Sequence, residues 1–106
     1  MRIVHGQAVF EELVNLSYYI AQENEAAAQH FLAACDETFK FLANNKKIGA
    51  ARTFQNSALK DMRMWRVRGF EKYLVFYQPL PDGVKILHVV HSARNYNLLF
   101  ESDQEE

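Results

Sequence analysis

The stretch MRMWRVRGFEKYLVFYQPLPDGVKILHVVHSARNYNLLF, residues 62–100, decides the fold of this chain. It contains three apolar segments that are typical of β-strands. The second and third segments, YLVFYQ at 73–78 and VKILHVVH at 84–91, are almost continuous runs of β-branched and aromatic residues, as expected of strands buried on both faces. Three such segments in succession predict an antiparallel meander.

Side-chain alternation and turn residues support the meander. The first segment alternates imperfectly, with Trp65 and Val67 on one face and two methionines on the other. Between the second and third segments, residues 79–83 contain Pro-Asp-Gly, in which Gly83 can adopt a positive φ and Asp82 can close the turn with its side chain. Both faces of the sheet therefore carry apolar bulk. One face would meet helices, and the other, unless the chain's own tail covers it, would need a partner.

The first half of the chain predicts a short edge strand and two amphipathic helices. After the edge strand at 2–5, apolar residues recur every three or four positions over 8–23 and again over 25–44. Asn24 separates the two helices and can cap the second, so an antiparallel helical hairpin is predicted. The apolar stripes are Val9, Leu13, Leu16 and Ile20 in the first helix, and Ala28, Phe31 or Leu32, Cys35, Phe39 and Leu42 in the second.

The predicted fold class is α+β, with the order β-α-α-β-β-β. An N-terminal strand and an antiparallel helical hairpin would pack on a small, mainly antiparallel sheet. Residues 44–60 show no sustained period and are predicted to be a loop, with Gly49 at a turn and Leu59 as an anchor. Residues 1–100 are expected to form a single domain, and the acidic residues 101–106 a frayed tail.

Charge is distributed unevenly behind the formal net charge of −1. Residues 1–39 hold one Arg against six acidic residues, whereas residues 40–94 hold eleven Lys and Arg against three acidic residues. A basic sheet half favours a polyanionic or acidic partner. Neutralisation by the protein's own acidic helices and tail explains the same pattern, and both interpretations stay open.

Composition limits the kinds of site and the cellular location to be expected. The single Cys35 cannot form an internal disulfide and fits the apolar stripe as a core residue. No window reaches the roughly 18 apolar residues of a membrane span, and no signal peptide is recognisable, so a cytoplasmic location is expected. The four histidines have no partners at metal-ligand spacing, and the four glycines are not clustered. No metal and no cofactor are predicted.

Short motifs occur in a fixed order along the chain. They are Ala8-Val9-Phe10-Glu11-Glu12-Leu13, Tyr19-Ile20-Ala21 with Glu23-Asn24, Ala27-Ala28 before Phe31, Leu42-Ala43, Ile48-Gly49, Met62-Arg63 with Val67, Tyr73-Leu74-Val75-Phe76-Tyr77, Asp82-Gly83-Val84, and Ile86-Leu87-His88-Val89-Val90-His91 ending in Ala93-Arg94. In this order, over residues 4–100, the chain resembles the RelE/ParE toxin family of bacterial type II toxin–antitoxin systems, and its last block resembles the ParE branch. Two departures are Lys46, where many relatives carry proline, and Asn95, where aspartate is usual.

The resemblance implies a plasmid-stabilisation toxin that a cognate antitoxin holds inactive in a hetero-oligomer. For the ParE branch the implied target is DNA gyrase, inhibited by binding and without catalysis by this chain. An antitoxin segment would also cover an exposed apolar sheet face. A non-toxic interaction module is compatible with the same residues. The candidate target-binding residues are Lys60, Arg63, Arg66, Arg68, His91, Arg94 and Tyr96.

The enzymatic alternative is a ribosome-dependent mRNA interferase of the RelE type. A metal-independent ribonuclease must move protons and stabilise the extra charge on the phosphate. Charge could be supplied by Arg63, Arg66, Arg68 and Arg94, and a proton could be transferred by His91; of these, Arg63, His91 and Arg94 are the candidate catalytic residues. In the nuclease branch an aromatic hydroxyl or histidine usually completes the site after the arginine equivalent to Arg94, and here that position is Phe100, which has no proton to give. Binding is therefore favoured over cleavage.

Overall fold

The computed structural model describes residues 1–52, 60–94 and 100. The described part contains one five-stranded sheet in the order β1-β5-β4-β3-β2, in which β1 is parallel to β5 and the other neighbours are antiparallel. This arrangement confirms the predicted α+β class and its N-terminal strand. The elements are β1 (Arg2–His5), α1 (Val9–Ala21), α2 (Glu25–Asn44), β2 (Ala50–Ala51), β3 (Arg63–Val67), β4 (Phe70–Leu80) and β5 (Gly83–His91).

The helical hairpin follows the sequence prediction closely. Helix α2 has the predicted limits, and the Asn24 side chain accepts a hydrogen bond from the Ala27 N–H at 3.0 Å. Helix α1 ends at Ala21, two residues before the predicted end. Phe31, not Leu32, occupies the buried stripe of α2. Leu13, Leu16 and Ile20 of α1 are partly buried against the same core. The buried members of this core that come from the helices are Val9, Phe31, Cys35, Phe39, Leu42 and Ala43.

Strand β2 lies within residues 44–60, for which the sequence predicts a loop, so this prediction is wrong at Ala50–Ala51. Ala50 and Ala51 pair with Met64 and Arg63 of β3. Two residues are too few to show a period of their own, so the pairing depends on the edge that β3 offers. Gly49 is buried here: a Cβ at this position would lie 2.6 Å from the Tyr77 hydroxyl. Leu59, the predicted anchor, lies outside the described residues.

The turn between β4 and β5 corrects another prediction. Pro81 and Asp82 form a two-residue connection, and Leu80 pairs with Gly83. Gly83 does not have a positive φ. It is glycine because β1 passes so closely that a Cβ would collide with the main-chain carbonyl of Arg2. The Asp82 carboxylate lies 3.2 Å from the Arg2 guanidinium, so it joins the turn to β1.

The second face of the sheet is covered by the chain itself. Phe100 is fully buried there, 5.0 Å from Phe76 between ring centroids. An exposed apolar face was expected only if the tail left it bare, and Phe100 shows that it does not. The acidic tail at 101–106 lies outside the described residues. The buried members of this second cluster are Met62, Leu74, Phe76, Val90 and Phe100.

Candidate functional site

The sequence-predicted site residues lie at two ends of the sheet. Arg63 pairs with Tyr77 of β4, whereas His91 pairs with Tyr73. These two rows are four residues apart along β4, which is roughly 13 Å at the usual rise of a strand. Tyr96 lies outside the described residues. Lys60, whose carbonyl accepts a hydrogen bond from Gln78, is at the Arg63 end, and Arg66, Arg68 and Arg94 are at the His91 end.

The Arg63 side chain is hydrogen-bonded to the segment that precedes β2. Its side chain is 17 % exposed. Its Nη1 donates to the carbonyls of Lys47 and Gly49, both at 2.9 Å. Its buried Nε lies 3.4 Å from a carboxylate oxygen of Asp61, at ion-pair distance but without a formed hydrogen bond. The guanidinium therefore organises residues 47–49 and offers little surface to another molecule.

His91 lies on the helix-facing side at the end of β5. Its ring is half-buried and meets the ring of Tyr73 edge-on, with 5.0 Å between centroids. Its Nδ1 accepts a hydrogen bond from the Ala93 N–H at 3.0 Å, so in the neutral ring the proton is on Nε2. Burial, and then the nearby Tyr19 and Glu23, raise the pKa of Tyr73. His91 thus faces away from Phe100 and far from Arg63.

Three exposed guanidiniums, those of Arg66, Arg68 and Arg94, are grouped here as the arginine end of the sheet. Arg66 donates from Nη1 to the carbonyl of Glu71 at 2.6 Å, and Arg68 lies in the turn between β3 and β4. Arg94 follows β5, and its N–H donates to the carbonyl of His91 at 3.0 Å. Within the part of the chain that the structure describes, no carboxylate forms an ion pair with any of the three. The described residues therefore leave these three charges without an ion-pair partner, which an acidic or polyanionic molecule could supply.

A cleft of about 370 Å³ lies between α2 and the β3 side of the sheet. The rings of Phe41 and Trp65 stack at its wall, with centroids 6.0 Å apart and planes at 28°. Three aromatic side chains of β4, those of Tyr73, Phe76 and Tyr77, are buried in the core and offer no stacking surface. The cleft is lined by Glu37, Thr38, Phe41, Trp65, Arg66, Arg68 and Glu71.

One buried polar pair is not predictable from the sequence. Glu12 of α1 and His88 of β5 are 76 positions apart in the chain, and their side chains meet at 2.7 Å. The His88 ring also packs edge-on against Phe100 at 5.3 Å. No local sequence pattern predicts this contact, because its two residues lie in elements that are far apart in the chain. The pair joins the helical layer to the face that Phe100 covers.

Two kinds of site are not found in residues 1–52, 60–94 and 100. No three His, Cys, Asp or Glu side chains there are grouped so as to hold a metal ion. No helix among them is long and apolar enough to cross a membrane. Cys35 is buried, and that burial raises the pKa of its thiol to about 12, which makes it unsuitable as a nucleophile.

Similarity to known proteins is found at the level of a protein family. No curated protein matches the chain. The sequence model of a protein family matches residues 5–96, which is most of the chain. That family is described as ParE toxin of type II toxin-antitoxin system, parDE.

Proposed function

This chain belongs to the ParE toxin family of type II toxin–antitoxin systems, and we propose that it inhibits DNA gyrase by binding to it. Family membership implies a cognate antitoxin as partner. The proposal adds that this partner neutralises the toxin in a hetero-oligomer, and that both act in the bacterial cytoplasm. The chain itself makes or breaks no bond in this mechanism.

The arginine end of the sheet carries the proposal. Arg66, Arg68 and Arg94 are exposed and have no ion-pair partner among the described residues. A surface that presents several unneutralised guanidiniums at one end of a rigid sheet suits binding to an acidic protein surface or to a protein–DNA complex. Lys60 is a candidate for a peripheral contact, since it is exposed at the other end.

The distribution of the remaining candidates argues against RNA cleavage. General acid–base chemistry requires its groups within hydrogen-bond reach of one phosphate. Arg63 is occupied by main-chain carbonyls and lies about four residues along β4 from the His91 row, roughly 13 Å away. Phe100 is buried against Phe76 and has no proton to donate.

One observation keeps an mRNA interferase as the second candidate. His91 and Arg94 lie together at the end of β5, where the Arg94 N–H bonds to the His91 carbonyl. A histidine beside an arginine that has no ion-pair partner among the described residues supplies a proton carrier and a charge for a phosphate. A non-toxic interaction module is the third candidate, since it needs neither target.

The test pairs a supercoiling assay on purified gyrase with mapping of mRNA 5′ ends after induction of the chain. We expect supercoiling to be inhibited and no new codon-phased ends to arise. Arg68→Ala and Arg94→Ala should each weaken inhibition roughly tenfold or more, because each removes a charge-assisted contact. Lys40→Ala is the matched control: it removes an exposed cation of α2 that already pairs with Asp36, and should change inhibition less than about twofold.

The opposite results are equally specific. Ribosome-dependent mRNA cuts that vanish with Arg94→Ala would establish the interferase and overturn the gyrase proposal. Inactivity of the wild-type chain in both assays would favour the interaction module. Equal weakening by Arg68→Ala and Lys40→Ala would show that inhibition depends only on net charge and not on the arginine end.

A further inference from the structure

Helix α1 carries a row of exposed apolar side chains on the side that faces away from the core. Phe10, Val14 and Tyr18 recur every fourth residue and are 79 %, 48 % and 71 % exposed. Side chains at this spacing lie one above another on a single helix face. Val9 and Leu16, on the opposite side of the helix, pack in the core. Phe10, Val14 and Tyr18, here called the α1 stripe, therefore form an apolar surface in contact with solvent.

The α1 stripe is symmetrical about its middle residue, because Phe10 precedes Val14 by four residues and Tyr18 follows it by four. A two-fold contact between identical chains uses the same patch twice, so the patch must complement itself. Two copies of α1 that pair antiparallel across a two-fold axis at Val14 meet this requirement. Each Phe10 then enters a hollow of the other helix, with Tyr18 on one side of it and the small Ser17 and Ala21 on the other.

The charges around the α1 stripe suit the same arrangement. Glu11 is exposed beside the stripe, and residues 13–22 hold no charged side chain. Glu11 and Tyr18 lie on the same flank of α1, at nearly equal distances before and after Val14. Antiparallel pairing therefore brings the carboxylate of one copy to the phenol of the other, and a phenol O–H can donate a hydrogen bond to a carboxylate. The two Glu11 residues stay roughly 9 Å apart along the helix axis, which limits their repulsion.

The area of the α1 stripe fits a weak, reversible dimer. Covering an aromatic side chain removes roughly 150 Å² from water, so the four rings of two stripes provide roughly 600 Å². The two Val14 side chains and their neighbours add to this area and bring it towards the roughly 1,200 Å² at the lower end of specific interfaces. Interfaces of that size give dissociation constants in the micromolar range or above unless they contain other strong contacts.

A lipid surface fits α1 less well than a second copy does. Helices that lie on membranes carry Lys and Arg on their polar side, and these residues attract anionic lipids. Helix α1 contains no Lys or Arg, and its charged residues, Glu11 and Glu12, are acidic. Anionic headgroups would therefore be repelled by α1, whereas the stripe of a second copy is uncharged.

We propose that the α1 stripe is the interface of a homodimer, in which two copies of α1 pair antiparallel across a two-fold axis at Val14. The interface covers the exposed rings of Phe10 and Tyr18 and closes on itself, so assembly stops at two chains. It uses none of the three arginines at the arginine end of the sheet. Helix α1 is also not among the elements that line the cleft between α2 and β3. The inference is therefore independent of the target that the chain binds.

The first experiment measures self-association of the full chain by sedimentation equilibrium. We expect a monomer–dimer equilibrium with a Kd of roughly 1–100 µM. Tyr18→Glu places a carboxylate in the contact, beside Glu11 of the other copy, and should raise the Kd roughly tenfold or more. Tyr19→Glu is the matched control, because Tyr19 is 68 % exposed on the same helix but lies off the stripe. It should change the Kd less than about threefold, since its charge stays in water.

A second experiment tests the position of the two-fold axis. Val14 meets its own copy there, so Val14→Glu and Val14→Lys should each bring like charges together and stay monomeric where the wild-type chain is half dimeric. An equimolar mixture of the two variants should dimerise roughly tenfold more tightly than either variant alone, since opposite charges then meet.

A readout on the wild-type chain decides the matter if a variant does not fold. Raising the concentration of the wild-type chain should shift the side-chain NMR signals of Phe10, Val14 and Tyr18. The signals of Tyr19 should stay unchanged over the same range, because its ring lies outside the contact.

Each of the following results would overturn the homodimer. A wild-type chain that stays monomeric at roughly 500 µM has no such interface. Growth beyond dimers would mean that the contact does not close on a two-fold axis. Equal weakening by Tyr18→Glu and Tyr19→Glu, or no gain from mixing the two Val14 variants, would place the contact elsewhere. A monomeric wild-type chain whose binding to the product of the adjacent open reading frame is weakened by Tyr18→Glu alone would assign the stripe to that partner instead.

Discussion

The carboxylate of Glu12 binds the ring of His88, with 2.7 Å between Oε2 and Nδ1. Its other oxygen accepts a hydrogen bond from the Val89 N–H at 2.9 Å. Strand β1 pairs with β5 only as far as Ile86, because the chain turns away into α1. Glu12 therefore supplies, from a helix, the acceptor that a continuing strand would have supplied. The two side chains are only 12 % and 8 % exposed, so the pair is largely withdrawn from water.

Replacing Glu12 should destabilise the fold. Glu12→Ala removes both hydrogen bonds and leaves the Val89 N–H unpaired, which should lower the free energy of unfolding by about 2–3 kcal/mol. The neighbouring Glu11 is exposed, and Glu11→Ala should cost less than about 0.5 kcal/mol. Urea unfolding of the two variants measures the difference. Equal losses would mean that the buried carboxylate contributes nothing beyond its charge.

The Tyr77 hydroxyl should stabilise the segment that leads into β2, residues 46–49. It donates to the Lys46 carbonyl at 2.8 Å and accepts from the Gly49 N–H at 2.9 Å. Tyr77→Phe leaves both main-chain groups unpaired and should cost about 1–3 kcal/mol. Tyr73→Phe is the control, since no hydrogen bond of the Tyr73 hydroxyl is found among the described residues, and it should cost less than about 0.5 kcal/mol. Thermal unfolding that ranks the two variants in the reverse order would contradict this role.

Gly83 and Gly69 should respond differently to alanine. At Gly83 a Cβ would collide with the carbonyl of Arg2, so Gly83→Ala must displace β1 and should cost about 3 kcal/mol or more. Gly69 has φ +82 with open space around it, so Gly69→Ala should cost only about 1–2 kcal/mol of backbone strain. Chemical denaturation gives the costs, and amide exchange at Arg2 reports its bond to the Asp82 carbonyl. A fully protected Arg2 amide in Gly83→Ala would contradict the proposed displacement.

Cys35 should be unreactive in the folded protein. Burial raises the pKa of its thiol from 9.0 to about 12, so at pH 8 the native thiolate should be roughly 10³-fold rarer than in the unfolded chain. A disulfide reagent should therefore label Cys35 roughly 10³-fold more slowly, or slower still, without denaturant than in unfolding conditions. Roughly 6 M guanidinium unfolds most domains and provides those conditions. Rapid labelling of the native chain at pH 8 would contradict the core role of this residue.

The same shift makes stability fall in alkali. The unfolded chain loses the Cys35 proton from about pH 9, whereas the folded chain keeps it to about pH 12, so raising the pH across this window favours unfolding. Burial also raises the pKa values of Tyr73 and Tyr77, which act in the same direction. Comparison of wild type with Cys35→Ala isolates the thiol: the variant should lose less stability between pH 8 and roughly pH 10.5. Identical losses of stability in wild type and Cys35→Ala would contradict a raised pKa of the Cys35 thiol in the folded chain.

Local patterns were sufficient for the helices and the long strands. The limits of α2 and the Asn24 cap followed from residues within four positions of one another, and the apolar periods of β4 and β5 identified both strands. Family membership also followed from the order of short motifs and was confirmed by the match over residues 5–96. The roles of the arginines and of His91 stay predictions.

The secondary-structure elements and the family could be predicted from the amino-acid sequence, because helix periods, caps and strand alternation depend on neighbours in the chain. Tertiary structure alone decided which side chains meet. It paired Glu12 with His88, separated Arg63 from His91, and made Gly83 necessary through the passage of β1. These contacts join residues far apart in sequence, so they arise from the order and register of the strands and from no local preference.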